Sequence, residues 1–163
     1  MDKHFELTDK FIINAFGIKL LQIKCTRKIK HADVGDLGGY IEKEDNLSGD
    51  AWVYGNAQVC GDAKMSGNAW VSGDAKVSGN AQVSGDAKVS NNNEHCGFDC
   101  FGSANRHTHA YKTQSGKVEI ICGCFRGSIE EFEEQVKKTH QGNEFERQYM
   151  AIAEVIKIKL GLK

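Results

Sequence analysis

Leu47 to Lys88 reads LSGDAW VYGNAQ VCGDAK MSGNAW VSGDAK VSGNAQ VSGDAK, seven consecutive hexads without an insertion. Each has an aliphatic residue first, Gly third, Asp or Asn fourth and Ala fifth. An apolar period of six fits neither a 3.6-residue helix nor a long strand of period two. It fits a parallel β-helix of triangular cross-section, in which every hexad supplies one short strand and one corner. Leu47, Val53, Val59, Met65, Val71, Val77 and Val83 then point inward, the alanines fill the tight inner wall, and Gly with Asp or Asn takes a corner that needs φ > 0.

Working outward, Ile41 lies six residues before Leu47 and starts the register, and Val89-Ser90 continues it before Asn91-Asn92-Asn93 ends it. Degenerate ends are what capping turns of a repeat look like. Three hexads per coil would stack residues 18 apart. The corner columns become Asp50, Asn68, Asp86; Asn56, Asp74, Asn92; and Asp62, Asn80. No carboxylate then lies directly over another, which supports the 18-residue coil. At the outward sixth position Trp52, Trp70 and Lys88 share a column with Tyr54 near its edge, and such an aromatic wall calls for a cover. Three covers are open: the C-terminal helices, a second subunit, or a ligand. These four residues are the candidate binding residues.

The chain divides by composition into three parts: an N-terminal β cap and lead-in (1–40), the repeat (41–94) and a C-terminal part (95–163). In the first, Phe5 to Ile13 and Ile18 to Ile23 predict a β-hairpin around Ala15-Phe16-Gly17, covering the open end of the repeat. The basic run Lys24 to His31 reads as a lysine-blocked strand edge, with a phosphate patch as the alternative. In the last part, Arg106 to Thr113 and Lys117 to Phe125 predict strands joined around Gln114-Ser115-Gly116. Ser128 and Glu131 form a capping box, so a helix should run from about Ile129 to His140, with Gly142 at its exit. Asn143 opens a second amphipathic helix with Phe145, Tyr149, Ile152, Ile156 and Leu160 on one side.

The seven hexads resemble the hexapeptide-repeat superfamily, and the resemblance implies that the coil is left-handed, against the general right-handed preference of crossovers. A mainly β fold is therefore expected: a short left-handed parallel β-helix of about three coils, an N-terminal β-hairpin cap, and a C-terminal β-hairpin with two α-helices. Gly35-Asp-Leu-Gly-Gly-Tyr-Ile-Glu-Lys-Glu-Asp-Asn-Leu-Ser48, with Cys122-Gly-Cys-Phe-Arg-Gly127 and EEFEEQVKKTH, is similar to small hexapeptide-repeat proteins of phages and prophages. That resemblance carries no enzymatic role.

The 163 residues hold 21 Lys+Arg against 22 Asp+Glu, a net charge of −1, so no global field attracts nucleic acid or an anionic membrane. No apolar run approaches the ~20 residues that span a bilayer, and the polar N-terminus is unlike a signal peptide. A soluble protein of the host bacterial cytoplasm is expected, with six reduced cysteines rather than disulfides. One inward Val per hexad is a small apolar gain against the ordering of six residues, so caps or a partner must help, and a trimer or dimer is expected.

His95, Cys96, Cys100, His107, His109, Cys122 and Cys124 form the densest group of ligand-type residues. If the hairpin closes with Gln114 opposite Lys117, His109 faces Cys122 and His107 faces Cys124, as a Cys2His2 zinc site requires. A slip of one residue destroys that set. Apart from this zinc alternative no cofactor is expected. The array holds no His, P-loop or nucleophile with partners, so the expectation is a non-catalytic binding protein whose partner is a host protein or small ligand, acting on a host defence component. Two alternatives stand beside it: a CoA-dependent acyltransferase using His95, His107 or His109, and a nucleotide sponge binding between subunits.

Overall fold

A computed structural model describes residues 3–163, a mainly β protein with two C-terminal helices. The chain divides into two compact units, one ending at Asn92 and one spanning Asn93–Lys163.

In the first unit, β1 (Phe5–Ile13) and β2 (Lys19–Cys25) form an antiparallel hairpin, with an irregularity between Leu7 and Phe11. Gly17 takes φ 78° in the connection, and Asn14 Oδ1 accepts from the amides of Phe16 and Ile18. β2 pairs antiparallel with β3 (Leu37–Ile41), which enters the repeat. Seven two-residue strands follow, one per hexad boundary: β4 (Trp52–Val53), β5 (Gln58–Val59), β6 (Lys64–Met65), β7 (Trp70–Val71), β8 (Lys76–Val77), β9 (Gln82–Val83) and β10 (Lys88–Val89).

Every pairing among these strands is parallel and joins residues 18 apart. β4, β7 and β10 form one ladder, β3, β5 and β8 a second, and β6 with β9 a third, which Leu47 extends by bridging Met65. Ile41 thus enters the ladder opposite Val59, as its spacing predicts. The hairpin is not a separate plug: it prolongs the second ladder into a sheet ordered β1-β2-β3-β5-β8. The first-position residues and the alanines are buried throughout. The seven third-position glycines, from Gly49 to Gly85, hold φ between 62° and 68° at the corners, where an L side chain is strained.

Corner aspartates receive cations from the lead-in segments. Arg27 binds Asp50 at 2.7 Å, Lys43 binds Asp62 at 2.8 Å, and Lys30 lies 3.8 Å from Asp86. Part of the basic run expected to block a strand edge therefore runs along the array instead, beside one corner column. Within the Asn56 column, the Asn56 amide donates to Asp74 at 3.5 Å.

The second unit is an antiparallel meander of β11 (His95–Phe101), β12 (Arg106–Lys112), β13 (Val118–Cys122) and β14 (Phe125–Gly127), with helices α1 (Ile129–His140) and α2 (Glu144–Leu160) on one face. Ala110, Val118, Ile120 and Cys122 from the sheet meet Ile129, Phe132, Val136, Tyr149, Ile152 and Ile156 from the helices. The capping box forms as expected, with Ser128 Oγ accepting from the Glu131 amide and Glu131 Oε2 from the Ser128 amide. α1 exits through Gln141 at φ 46°, one residue before Gly142. β11 was not expected. Its sequence, HCGFDCF, has the alternation of a strand, but Gly97 and its cysteines obscured it. No helix among the described residues is long and apolar enough to cross a membrane.

Candidate functional site

The expected zinc set does not converge. Thr113 N donates to Lys117 O at 2.8 Å, so three residues, Gln114 to Gly116, form the hairpin loop, with Gly116 at φ 80°. A three-residue loop ending in a left-handed Gly is a favoured hairpin closure, and it shifts the register by one from the two-residue loop that the zinc set needs. Thr108 lies opposite Cys122, and His109 opposite Ile121. Cys122 therefore faces the helices, where its Sγ accepts from Thr108 Oγ1 at 3.2 Å. His107 and His109 project from the other face, and Cys124 is exposed beyond the turn at Gly123. Among the described residues no group of three or more His, Cys, Asp or Glu side chains has the geometry to hold a metal ion.

The same register assembles something else. On the face away from the helices, Asp99, His107, His109 and His95 form a continuous row. Asp99 Oδ1 is 2.6 Å from His107 Nδ1, His107 Nε2 is 3.4 Å from His109 Nδ1, and His109 Nε2 is 3.3 Å from His95 Nδ1. One polarity satisfies all three contacts: His107 donates from Nδ1 to the Asp99 carboxylate, His109 from Nδ1 to His107 Nε2, and His95 from Nδ1 to His109 Nε2. Each imidazole in the row thereby has its tautomer set by the next. Gly97 sits opposite His109 in the ladder, and a Cβ there would stand 2.8 Å from both His107 Cε1 and His109 Nδ1, so only Gly lets these rings close together. His109 is buried, and that burial, aided by repulsion from His95 and His107, holds its pKa well below the usual imidazole value. Chemically the row is a carboxylate-anchored imidazole chain with a neutral centre. The sequence names its histidines as ligand types; Asp99 and Gly97 become legible only once the β11–β12 pairing is known.

The aromatic wall is covered, as expected, but by other residues than those expected. Trp52 and Trp70 do stack as ladder neighbours. Trp52, however, is wholly buried, with the His4 ring centroid 6.2 Å from its own. His4 is fixed by a 2.7 Å contact of Nε2 with the Ala51 carbonyl. Trp70 is half-buried: His31 stacks on it, and the Lys88 ammonium lies 5.4 Å from its ring centroid. The cover of the tryptophan column thus includes two histidines of the N-terminal lead-in, not among the three covers expected. Burial lowers the pKa of both His4 and His31. Of the four, Tyr54, about half exposed, and Lys88 remain open.

Two cavities bear on binding. One, of about 440 Å3, is lined by Lys3, His4, Phe5, Arg27, Leu47 and Ser48, and its cations are already engaged, Lys3 by Glu44 and Arg27 by Asp50. The other lies in the second unit between the sheet and the helices. The outer end of the hairpin is apolar: Phe11, Ile13 and Phe16 are exposed, Phe16 to 85%. They lie on β1, an edge strand of the five-stranded sheet, and on the turn that follows it. No protein-family model matches the chain, and the comparison with curated proteins also finds no match.

Proposed function

We propose that the chain is a non-catalytic binding protein of phage or prophage origin. In this reading the first unit is a short left-handed parallel β-helix of the hexapeptide-repeat type that self-associates and presents its outer surface to a host macromolecule or ligand. Inhibition or sequestration of a host defence component, in the host cytoplasm, is the role this reading assigns. The observation that carries it is the edge strand β1 with its exposed apolar end. Phe11 and Ile13 on the edge strand and Phe16 on the turn after it form an exposed apolar group beside an open sheet edge, and such surfaces mark association sites. The hexads support it in a second way, because their Val, Ala, Gly and Asp/Asn positions are committed to the ladder and its corners.

Native mass spectrometry of the full chain tests this reading. Dimers or trimers are expected from the natural sequence, with a shift to monomer in Phe11→Asp combined with Phe16→Asp, while circular dichroism stays unchanged. A monomer at all concentrations in the natural protein would remove the basis for the reading.

One observation favours a second reading, CoA-dependent acyl transfer. Asp99 orients His107 as a carboxylate orients a general base, and in this reading His107 Nε2 gives up its contact with His109 to take a substrate proton. Calorimetric titration with acetyl-CoA separates the two, since the binding-protein reading expects no heat and the acyltransferase reading requires saturable binding sensitive to His107→Gln.

A further inference from the structure

We infer that the cavity between the sheet and helices of the second unit is a binding site for a small aromatic carboxylate. The cavity holds about 220 Å3 and is lined by Arg106, Phe125, Phe132, Gln135, His140 and Tyr149, among others. Drug-sized ligands occupy pockets of about 300–1,000 Å3, so this volume admits a single ring with one substituent.

Its apolar walls suit a flat ring. Phe125 and Phe132 lie 5.5 Å apart at 59°, Phe132 meets Tyr149 edge-on at 5.8 Å and 88°, and His140 stacks along Tyr149 at 5.5 Å and 27°. Offset and edge-on arrangements at these spacings are those an added aromatic ring would extend. Burial raises the Tyr149 pKa to about 12, so its phenol stays neutral and brings no anion to the site.

Arg106 supplies the charge. Its guanidinium lies over the turn at Gly123, where a Cβ would stand 2.5 Å from Nη1 and 3.0 Å from Cζ, so the turn is shaped to receive it. Arg27 and Arg126 are each bound to a carboxylate, whereas Arg106 has no ion-pair or hydrogen-bond partner for its side chain among the described residues. Two carboxylates of the helices are engaged by backbone amides. Glu131 Oε2 accepts from the Ser128 amide at 2.8 Å, and Glu146 Oε2 from the Gly142 amide at 2.6 Å. An unengaged planar guanidinium at the mouth of an aromatic pocket matches a carboxylate better than a phosphate dianion, because one fork meets two coplanar oxygens and no second arginine or lysine is among the lining residues.

The experiment titrates the full-length chain with benzoate, and with its neutral counterpart benzamide, while following the aromatic and methyl resonances by NMR. Saturable shifts confined to Phe125, Phe132, Val136 and Tyr149 are expected with benzoate in the millimolar range, with benzamide at least fivefold weaker. Arg106→Gln, at an exposed position whose side chain has no hydrogen-bond or ion-pair partner among the described residues, should keep the folded spectrum and bring benzoate down to the affinity of benzamide. Equal affinities for the two ligands, an Arg106→Gln protein that binds benzoate as well as the natural one, or shifts spread over the surface without saturation would each overturn the inference. Inorganic phosphate serves as the competing anion, and displacement of benzoate by phosphate at equal concentration would overturn the assignment to carboxylates.

Discussion

The imidazole of His31 lies nearly parallel to the indole of Trp70, with ring centroids 5.2 Å apart and planes at 15°, while its Nε2 is 3.2 Å from the Asn68 carbonyl oxygen. The contact bridges 39 residues of sequence and ties the lead-in segment to the middle of the array. His31→Ala should lower stability by roughly 1–3 kcal/mol, the sum of an aromatic pair and one hydrogen bond. His31→Phe should recover the part due to stacking. Urea unfolding followed by tryptophan fluorescence reads both, and an unchanged midpoint in His31→Ala would mean that the stack adds nothing to stability.

The corner glycines differ in what a methyl group would meet. At Gly55 the nearest atoms are 3.6 Å away, at Gly67 the Gly85 amide nitrogen is at 3.0 Å, and at Gly73 the Ser90 carbonyl oxygen is at 2.2 Å. All three carry the left-handed backbone cost of about 1–2 kcal/mol for Ala. Gly55→Ala should show little beyond that cost, Gly67→Ala more, and Gly73→Ala the largest loss. Thermal unfolding of the three variants should follow that order. Equal losses would mean that backbone conformation alone governs the corners.

These two relationships mark where the sequence was legible. The ladder partners 18 apart, the Ile41 register and both helix starts could be read directly, because a six-residue period, a capping box and an Asn cap act locally. The histidine row could not, because its assembly depends on whether the loop after Thr113 holds two residues or three. Both closures suit Gln114-Ser115-Gly116, and one residue of register decides whether Cys122 or Ile121 faces His109. The cover on Trp52 and Trp70 was hidden for a different reason. His4 and His31 reach the column from 48 and 39 residues away in sequence, and neither has a periodic signal. Arg106 over Gly123 is likewise a tertiary fact without a local motif.

The depressed pKa of His109 predicts a pH dependence of stability. Folded His109 takes a proton less readily than unfolded His109, so the unfolded chain binds more protons as the pH falls below about 6.5. Stability is therefore full above that value and declines below it, by at most about 1.4 kcal/mol per pH unit from this group, until the folded pKa is reached. The groups sharing its face are Asp99, His107, His95, Tyr111, Glu119 and Arg126, and Arg126 and Tyr111 both hold Glu119. His4 and His31 act with the same sign, so the informative quantity is a difference. Urea midpoints from pH 7.5 to 5 should fall less steeply in His109→Gln than in the natural protein. Parallel profiles would show that His109 does not titrate differently on folding.

Gly97→Ala tests the row without touching any of its members. The added methyl would stand 2.8 Å from His107 Cε1 and His109 Nδ1 and 2.9 Å from His107 Nε2, so the two rings must part. In the natural protein, the anchoring of His107 by Asp99 leaves Nε2 of His107 as an acceptor, which obliges His109 to carry its proton on Nδ1, the less common neutral tautomer. Long-range nitrogen–proton NMR at pH 7.5 should therefore report Nδ1–H at His109. Gly97→Ala should move His109 toward the Nε2–H form and leave His107 bound to Asp99. If His109 keeps its nitrogen shifts in Gly97→Ala, the tautomer is set by something other than the contact with His107, and the polarity assigned to the chain would have to be reversed or abandoned.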